Sequence, residues 1–277
     1  MKEPQPILVT HLFPEILDAL IRLLKGLKPE DWSKPTVCAG WTVKDVTQHL
    51  LAVDISNISR KRDNHYIQPT SPIHTDQDLL EFINFLNQSW MHATQRISSQ
   101  LLIELLQFVG TQANDFFTSL DPFKLGDPVS WAGPDPAPIW LDLAREYTER
   151  WHHQQHIRDA VGKPGLKEPR FFAPILDAFV RALPNTYQGV EAIEGTLVTL
   201  TITGDSGGQW SIRCRENQWK LYVGMQNHPD VQVIIDQDDA WRLFTKGIGP
   251  NEVRDRSTIE GDRKLSEMVF EMVSIIA

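Results

Sequence analysis

The chain has 277 residues, room for one large or two modest domains. Its 27 Lys and Arg against 36 Asp and Glu give a formal net charge of −9, which excludes the basic face that duplex nucleic acid requires. Two cysteines, Cys38 and Cys214, lie far apart and in no CxxC pair. They exclude a disulfide framework, a thiolate-rich zinc site and a dithiol redox motif, leaving catalysis to nitrogen and oxygen groups or to a thiol brought from outside.

The amino-terminal stretch MKEPQPILVTHLFPEILDAL is interrupted by His11, Pro14 and Glu15, so it does not read as a signal peptide. No run approaches the roughly 18 apolar residues of a membrane span, and the expected location is cytoplasmic. Leu8, Leu12, Ile16, Leu20, Leu23 and Leu24 have the spacing of one helical face over residues 8–27. Thr42 and Asp45 have capping-box spacing and start a second helix through Val46, Leu50 and Val53. A third helical region covers about 76–118, with Gly110 as a candidate break. Residues 121–138, DPFKLGDPVSWAGPDPAP, carry too many prolines to remain helical. A long helix then runs from about Ile139 to Val161 and stops at Gly162-Lys163-Pro164-Gly165. Four helical regions of this kind predict an all-α four-helix bundle.

After residue 163 the pattern changes. A helix is expected over 168–183. Val198, Leu200 and Ile202 alternate with Thr199, Thr201 and Thr203, the period of a strand. Further strands are expected at Trp210–Arg215, Trp219–Val223 and Val231–Ile235, then a helical AWRLF segment and a last helix over about Arg263–Ile276. The predicted organisation is a bundle over residues 1–163 and a smaller α+β domain, with a mainly antiparallel sheet, over residues 164–277. GDSGG at Gly204–Gly208 matches the nucleophile stretch of chymotrypsin-like proteases, but the all-helical region before it offers no two-barrel scaffold. A tight turn between strands accounts for it.

The chemistry concentrates in REYTERWHHQQHIRD, residues 145–159. Residues four apart on a helix are offset by only about 40°, so Glu149 with His153, or His152 with His156, can serve one site. The two pairs point roughly 100° apart, so both can hardly serve the same one. The face around His153 carries Ile139, Asp142, Glu146, Ile157 and Ala160: apolar at its ends and acidic in its middle, as in a bundle core with a central metal site. A Glu/His pair at this spacing is also an ordinary surface pair. His49, beside the Val46/Leu50/Val53 stripe, is either a third ligand from a facing helix or a partly buried histidine bonded to a neighbour.

WSKPTVCAGWTVKDVTQHLLAVD (32–54), LLEFINFLNQSWMHATQRISSQLLIELL (79–106) and EYTERWHHQQHIRDAVGKP (146–164) resemble the DinB-like, mycothiol-dependent maleylpyruvate isomerase N-terminal family. The resemblance implies a divalent metal, most commonly zinc, held by His49, Glu149 and His153. Other DinB-like proteins use H-x3-H, which would substitute His152 and His156. IEGTLVTLTITGDSGGQWSI, DVQVIIDQDDAWRLFTKG and IEGDRKLSEMVFEMVSIIA resemble a sterol-carrier-protein-like domain, in which a sheet and helices enclose an apolar tunnel. Val198, Leu200, Ile202, Trp210, Trp219 and Val233 read as plain core.

The implied activity is a metal-dependent isomerase or transferase using a low-molecular-weight thiol (mycothiol, bacillithiol or glutathione) on a small electrophilic substrate. In such an isomerase a thiolate adds to a conjugated double bond, permits rotation and leaves. Arg145, Arg150 and Arg158 are candidates for meeting the substrate's charge, and the 121–138 loop, with Trp131, is a candidate pocket rim. The alternatives are a non-catalytic metal-containing protein that binds a small molecule or lipid, and a metal-dependent hydrolase. The expected partner is a small-molecule substrate, with no nucleic acid and no membrane, the protein being a monomer or homodimer.

Overall fold

A computed structural model describes residues 2–69, 72–224 and 228–275. A helical amino-terminal region is followed by a sheet-containing region. Packing divides the chain into two compact units: residues 9–121 with 149–165, and residues 2–8 with 122–148 and 166–275.

In the first unit a 3-10 turn, Thr10–Leu12, leads into α1 (Phe13–Lys25), which places Pro14 in the first turn, where a missing N–H costs nothing. Helix α2 (Val43–Asn57) starts at the expected capping box. The Asp45 N–H donates to Thr42 Oγ1 at 3.3 Å and the Thr42 N–H to Asp45 Oδ2 at 2.9 Å. A π-helical turn, Ile58–Arg62, follows it.

The expected third region is two helices, α3 (Asp76–Thr94) and α4 (Ser99–Ser119). It breaks before Ser98, whose hydroxyl accepts the Leu101 N–H, and not at Gly110. Gly110 lies inside α4, where a Cβ would come within 2.9 Å of a Leu17 methyl and 3.2 Å of Asp54 Oδ2. It permits a close approach of packed helices. With α5 (Ile139–Ala160), five α-helices lie within residues 2–163 among the described residues, one more than the expected four. Leu20, Leu24, Val46, Leu50, Leu102, Leu106 and Ile157 are buried together in this unit's apolar core.

In the second unit the proline-rich stretch forms a short antiparallel hairpin, β1 (Leu125–Pro128) with β2 (Pro136–Pro138). Helices α6 (Pro169–Val180) and α7 (Leu183–Thr186) precede β3 (Leu197–Thr203), β4 (Gly208–Arg215), β5 (Gln218–Val223) and β6 (Val231–Asp236). Then come α8 (Gln237–Phe244), α9 (Pro250–Arg254), β7 (Thr258–Gly261) and α10 (Arg263–Phe270). The sheet order is β5-β4-β3-β6-β7, with β3 and β6 parallel and the other neighbours antiparallel. Val198, Leu200, Ile202, Trp210, Trp219 and Val233 are buried core.

The final helix ends six residues short of Ile276, itself outside the described residues. Ser274 is drawn off by bonds from its N–H to the Phe244 carbonyl at 2.9 Å and from its hydroxyl to the Phe179 carbonyl at 2.8 Å. GDSGG is the β3–β4 turn: Gly204 has φ +108°, and a Cβ on Gly207 would lie 2.0 Å from the Ile202 carbonyl oxygen. Ser206 is buried, with its hydroxyl 3.4 Å from the Lys167 carbonyl oxygen, so it is no exposed nucleophile.

Candidate metal centre

Helix α2 and the part of α5 from Glu149 onward, both in the first unit, supply the centre. His49 stands on α2 between the core residues Val46 and Leu50. Glu149 and His153 stand one turn apart on α5, where every residue from Arg150 to Ile157 is buried. A helix enclosed all round in this way must partner each polar side chain or use it.

The three expected ligands come together. Glu149 Oε1 lies 3.0 Å from His49 Nε2 and 3.1 Å from His153 Nε2, and the two imidazoles meet edge to face with centroids 4.7 Å apart. One donor atom from each lies within 4.8 Å of the others. The side chains of His49, Glu149 and His153 are 12%, 22% and 10% exposed, so the cluster is sheltered but reachable. Trp41 packs against both imidazoles, 5.1 Å from His49 and 6.5 Å from His153 between centroids.

Burial, reinforced by His152, pushes His153 down to about 3, so it is neutral at pH 7. Burial alone would raise Glu149. The imidazoles of His153 and His152, together with hydrogen bonds from His153 and His49, outweigh that and hold it well below the usual carboxylate range. At His153 and Glu149 the cluster therefore presents a neutral imidazole and an ionised carboxylate, the protonation states a cation requires.

The i,i+4 alternative does not assemble as a ligand pair with His49. His152 lies tilted against His153 with centroids 4.1 Å apart and belongs to neither close group of ligand side chains among the described residues. His156 faces Cys38 instead: Cys38 Sγ is 3.2 Å from His156 Nδ1, and Cys38, His153 and His156 form the second such group. Cys38 was not foreseen at this site, because it lies 118 residues from His156 in a loop. Burial pushes its thiol up, and the Glu149 charge adds to the shift.

The three candidate arginines are all engaged by the protein. Arg145 pairs with Asp142 and Glu146. Arg150 bonds Asp54 through Nε at 3.1 Å and Nη2 at 2.5 Å, and Arg158 bonds Gln154 and the Pro164 carbonyl. None is a spare cation awaiting substrate. Trp131 is buried within the second unit, and its carbonyl accepts from the Asn185 side chain.

Beside Trp41 the first unit carries a cleft of about 400 Å³, lined by Trp41 and Asp45 together with the carboxamides of Asn84, Asn87, Gln88 and Gln95. Such a lining offers paired donors and acceptors with little charge.

The model of the mycothiol maleylpyruvate isomerase N-terminal domain matches residues 13–158. The chain belongs to that family. Crystal structures of the mycothiol-dependent maleylpyruvate isomerase, and of a histidine-to-alanine mutant of it, are each similar at TM-score 0.49 and 12% identity, over 84% of this chain and 86% of theirs. The solution structure of the sterol carrier protein domain 2 of Helicoverpa armigera is similar at TM-score 0.28 and 17% identity, over 39% of this chain and 91% of that one. No curated protein matches. Among the described residues, no helix is long and apolar enough to cross a membrane.

Proposed function

We propose that this member of the family is a metal-dependent isomerase or transferase that uses a low-molecular-weight thiol, with mycothiol foremost, on a small electrophilic substrate of the maleylpyruvate type. The observation that carries the proposal is the meeting of His49, Glu149 and His153 around one carboxylate oxygen inside the matched domain. Bonds of about 2.0–2.2 Å from zinc to nitrogen and oxygen place tetrahedral ligand atoms roughly 3.3 Å apart. The separations of 3.0 and 3.1 Å are close to that, and the donor set is one zinc accepts. Three protein ligands would leave a further position open. A divalent ion held there would supply Lewis acidity that keeps a coordinated thiol in its thiolate form.

The chain's own residues would do the rest. Glu149 brings the negative charge and His153 arrives already neutral, so no proton need leave that ring at pH 7. Trp41 covers both imidazoles and closes their side of the cleft with an apolar surface. The carboxamides of α3 would orient the polar part of a thiol or substrate there by hydrogen bonds. We also propose the division into residues 1–163 and 164–277, since the family match ends at residue 158.

The test is metal analysis of wild type, His49→Ala and His153→Ala purified alike, with isomerisation of maleylpyruvate assayed in turn with mycothiol, bacillithiol and glutathione. Near-stoichiometric metal in wild type, lost with the activity in both variants, is expected. Wild type that takes up no zinc even when reconstituted would overturn the reading.

A further inference from the structure

The second group of ligand side chains shares His153 with the first but is otherwise separate from it. Its sulfur is held by the backbone. In the loop before α2, the N–H and hydroxyl of Thr36 both donate to the Trp41 carbonyl at 2.9 Å. The Cys38 N–H donates to Thr36 Oγ1 at 3.2 Å, and the Trp41 N–H to the Cys38 carbonyl at 2.9 Å. Gly40, at φ +77°, takes the left-handed turn that closes the loop. Four bonds within six residues thus fix Cys38 against α5, its Sγ 3.2 Å from His156 Nδ1. His153 and His156 stand three apart on α5, on adjoining faces of one turn.

His153 adds a second observation. Its Nε2 lies on Glu149, while its Nδ1 is buried with no hydrogen-bond partner among the described residues. A buried ring nitrogen left without a partner is costly, and the residue is only 8% exposed. One sulfur and two imidazoles, with donor atoms within 4.8 Å of one another, make a set that a cation would complete.

We propose that Cys38, His153 and His156 form a second, thiolate-containing site for a borderline or soft cation such as Zn(II), Co(II) or Cu(I), occupied in alternation with the His49/Glu149/His153 site. Replacing carboxylate by thiolate shifts the preference away from harder ions toward this class. Alternation follows from the shared imidazole, which serves one ion at a time. On binding, the Cys38 thiol gives its proton to solvent and its sulfur lone pair to the ion. This goes beyond the proposed activity and does not require the first site to be catalytic.

Cobalt distinguishes the two sites, because a thiolate ligand gives a sulfur-to-cobalt charge-transfer band that nitrogen and oxygen ligands do not. The full-length chain, stripped with a chelator, is titrated anaerobically with Co(II). Wild type is expected to show the band and Cys214→Ser to retain it. Cys38→Ser should bind cobalt without the band, and His49→Ala should show a stronger band per chain because the competing site is gone. Absence of the band from both wild type and His49→Ala, or its survival in Cys38→Ser, overturns the proposal. Loss of cobalt from His49→Ala with no band in wild type would leave the first site standing and remove the second.

Alkylation of the wild-type chain gives a reading that depends on no variant. Bound Zn(II) should slow labelling of Cys38, followed by peptide mass mapping, roughly tenfold or more, since coordination occupies the sulfur lone pair. An unchanged rate at saturating zinc also overturns it.

Discussion

Among the described residues from 166 onward, the buried polar residues are threonines and serines with nearby partners. Thr199 pairs with Ser211, Ser211 reaches the Gly224 carbonyl, Thr245 the Trp241 carbonyl, and Ser274 the Phe179 carbonyl. The helical unit instead buries Asp54, Arg150, His152, His153 and His156, with Gln48, Gln154 and Gln155. A hydroxyl is satisfied by one bond at little net cost, whereas a buried charge must be paired or neutralised. The helical unit does both. Asp54 and Arg150 compensate each other beneath the rings of Phe13 and Phe117, 5.5 and 5.0 Å from the guanidinium carbon. The histidine cluster is left incomplete, with Nδ1 of His49 and of His153 unpartnered among the described residues. On the proposed reading, the contrast separates polarity used for folding from polarity held ready for a ligand.

His153→Ala removes the ligand common to both groups and tests that contrast most severely. Metal affinity should fall by more than the 10–100-fold typical of losing a mere supporting contact, as measured by competition with a chromophoric chelator. Affinity within threefold of wild type would return the cluster to plain structure. Asp54→Asn should cost about 3–5 kcal/mol in urea unfolding, because it removes the carboxylate charge from a buried ion pair. A cost below about 1 kcal/mol would place this pair with ordinary surface pairs.

The pH dependence of the metal-free protein comes next. His153 stays neutral in the fold down to about 3 but protonates near 6.5 when unfolded, so the unfolded chain takes up its proton first. Stability therefore falls as pH drops below about 6.5, and His153 adds no pH dependence above it. Glu149, lowered from 4.5, deepens the same loss at more acid pH. A chelator-treated sample whose melting temperature is flat from pH 7 to 5 would contradict this. In the sheet-containing unit, Tyr187→Phe deletes one buried hydroxyl bonded to the Leu265 carbonyl. It should cost only about 1 kcal/mol by calorimetry and leave metal content unchanged.

Elements whose causes are local could be read from the chain. Thr42 and Asp45 cap their own helix, and the Val198–Ile202 alternation makes its own strand. The division between α3 and α4 was hidden because ATQRISSQ contains neither Gly nor Pro, and Ser98 was its one local mark. Gly110 misled because its role is set by Leu17 and Asp54, distant in sequence. Strand β7 escaped notice as a four-residue edge without alternation, and its pairing depends on β6. At the site, Glu149 and His153 were legible as helical neighbours. His49 was tied to them by family resemblance, since its distance from Glu149 is a matter of tertiary packing. Cys38 had no signal, because a loop residue reveals its neighbours only after folding.

Trp41 occupies a position with a practical consequence. Its indole covers His49 and His153 on one side and lines the carboxamide cleft on another. Indole emission responds to charge and water within a few ångströms, so the molecule carries its own optical reporter where ion and substrate would meet. Against the background of its nine tryptophans, the difference between wild type and Trp41→Phe isolates that signal. Quenching by an ion and a spectral shift by a cleft ligand could then be followed in one cuvette, in the order in which they arrive.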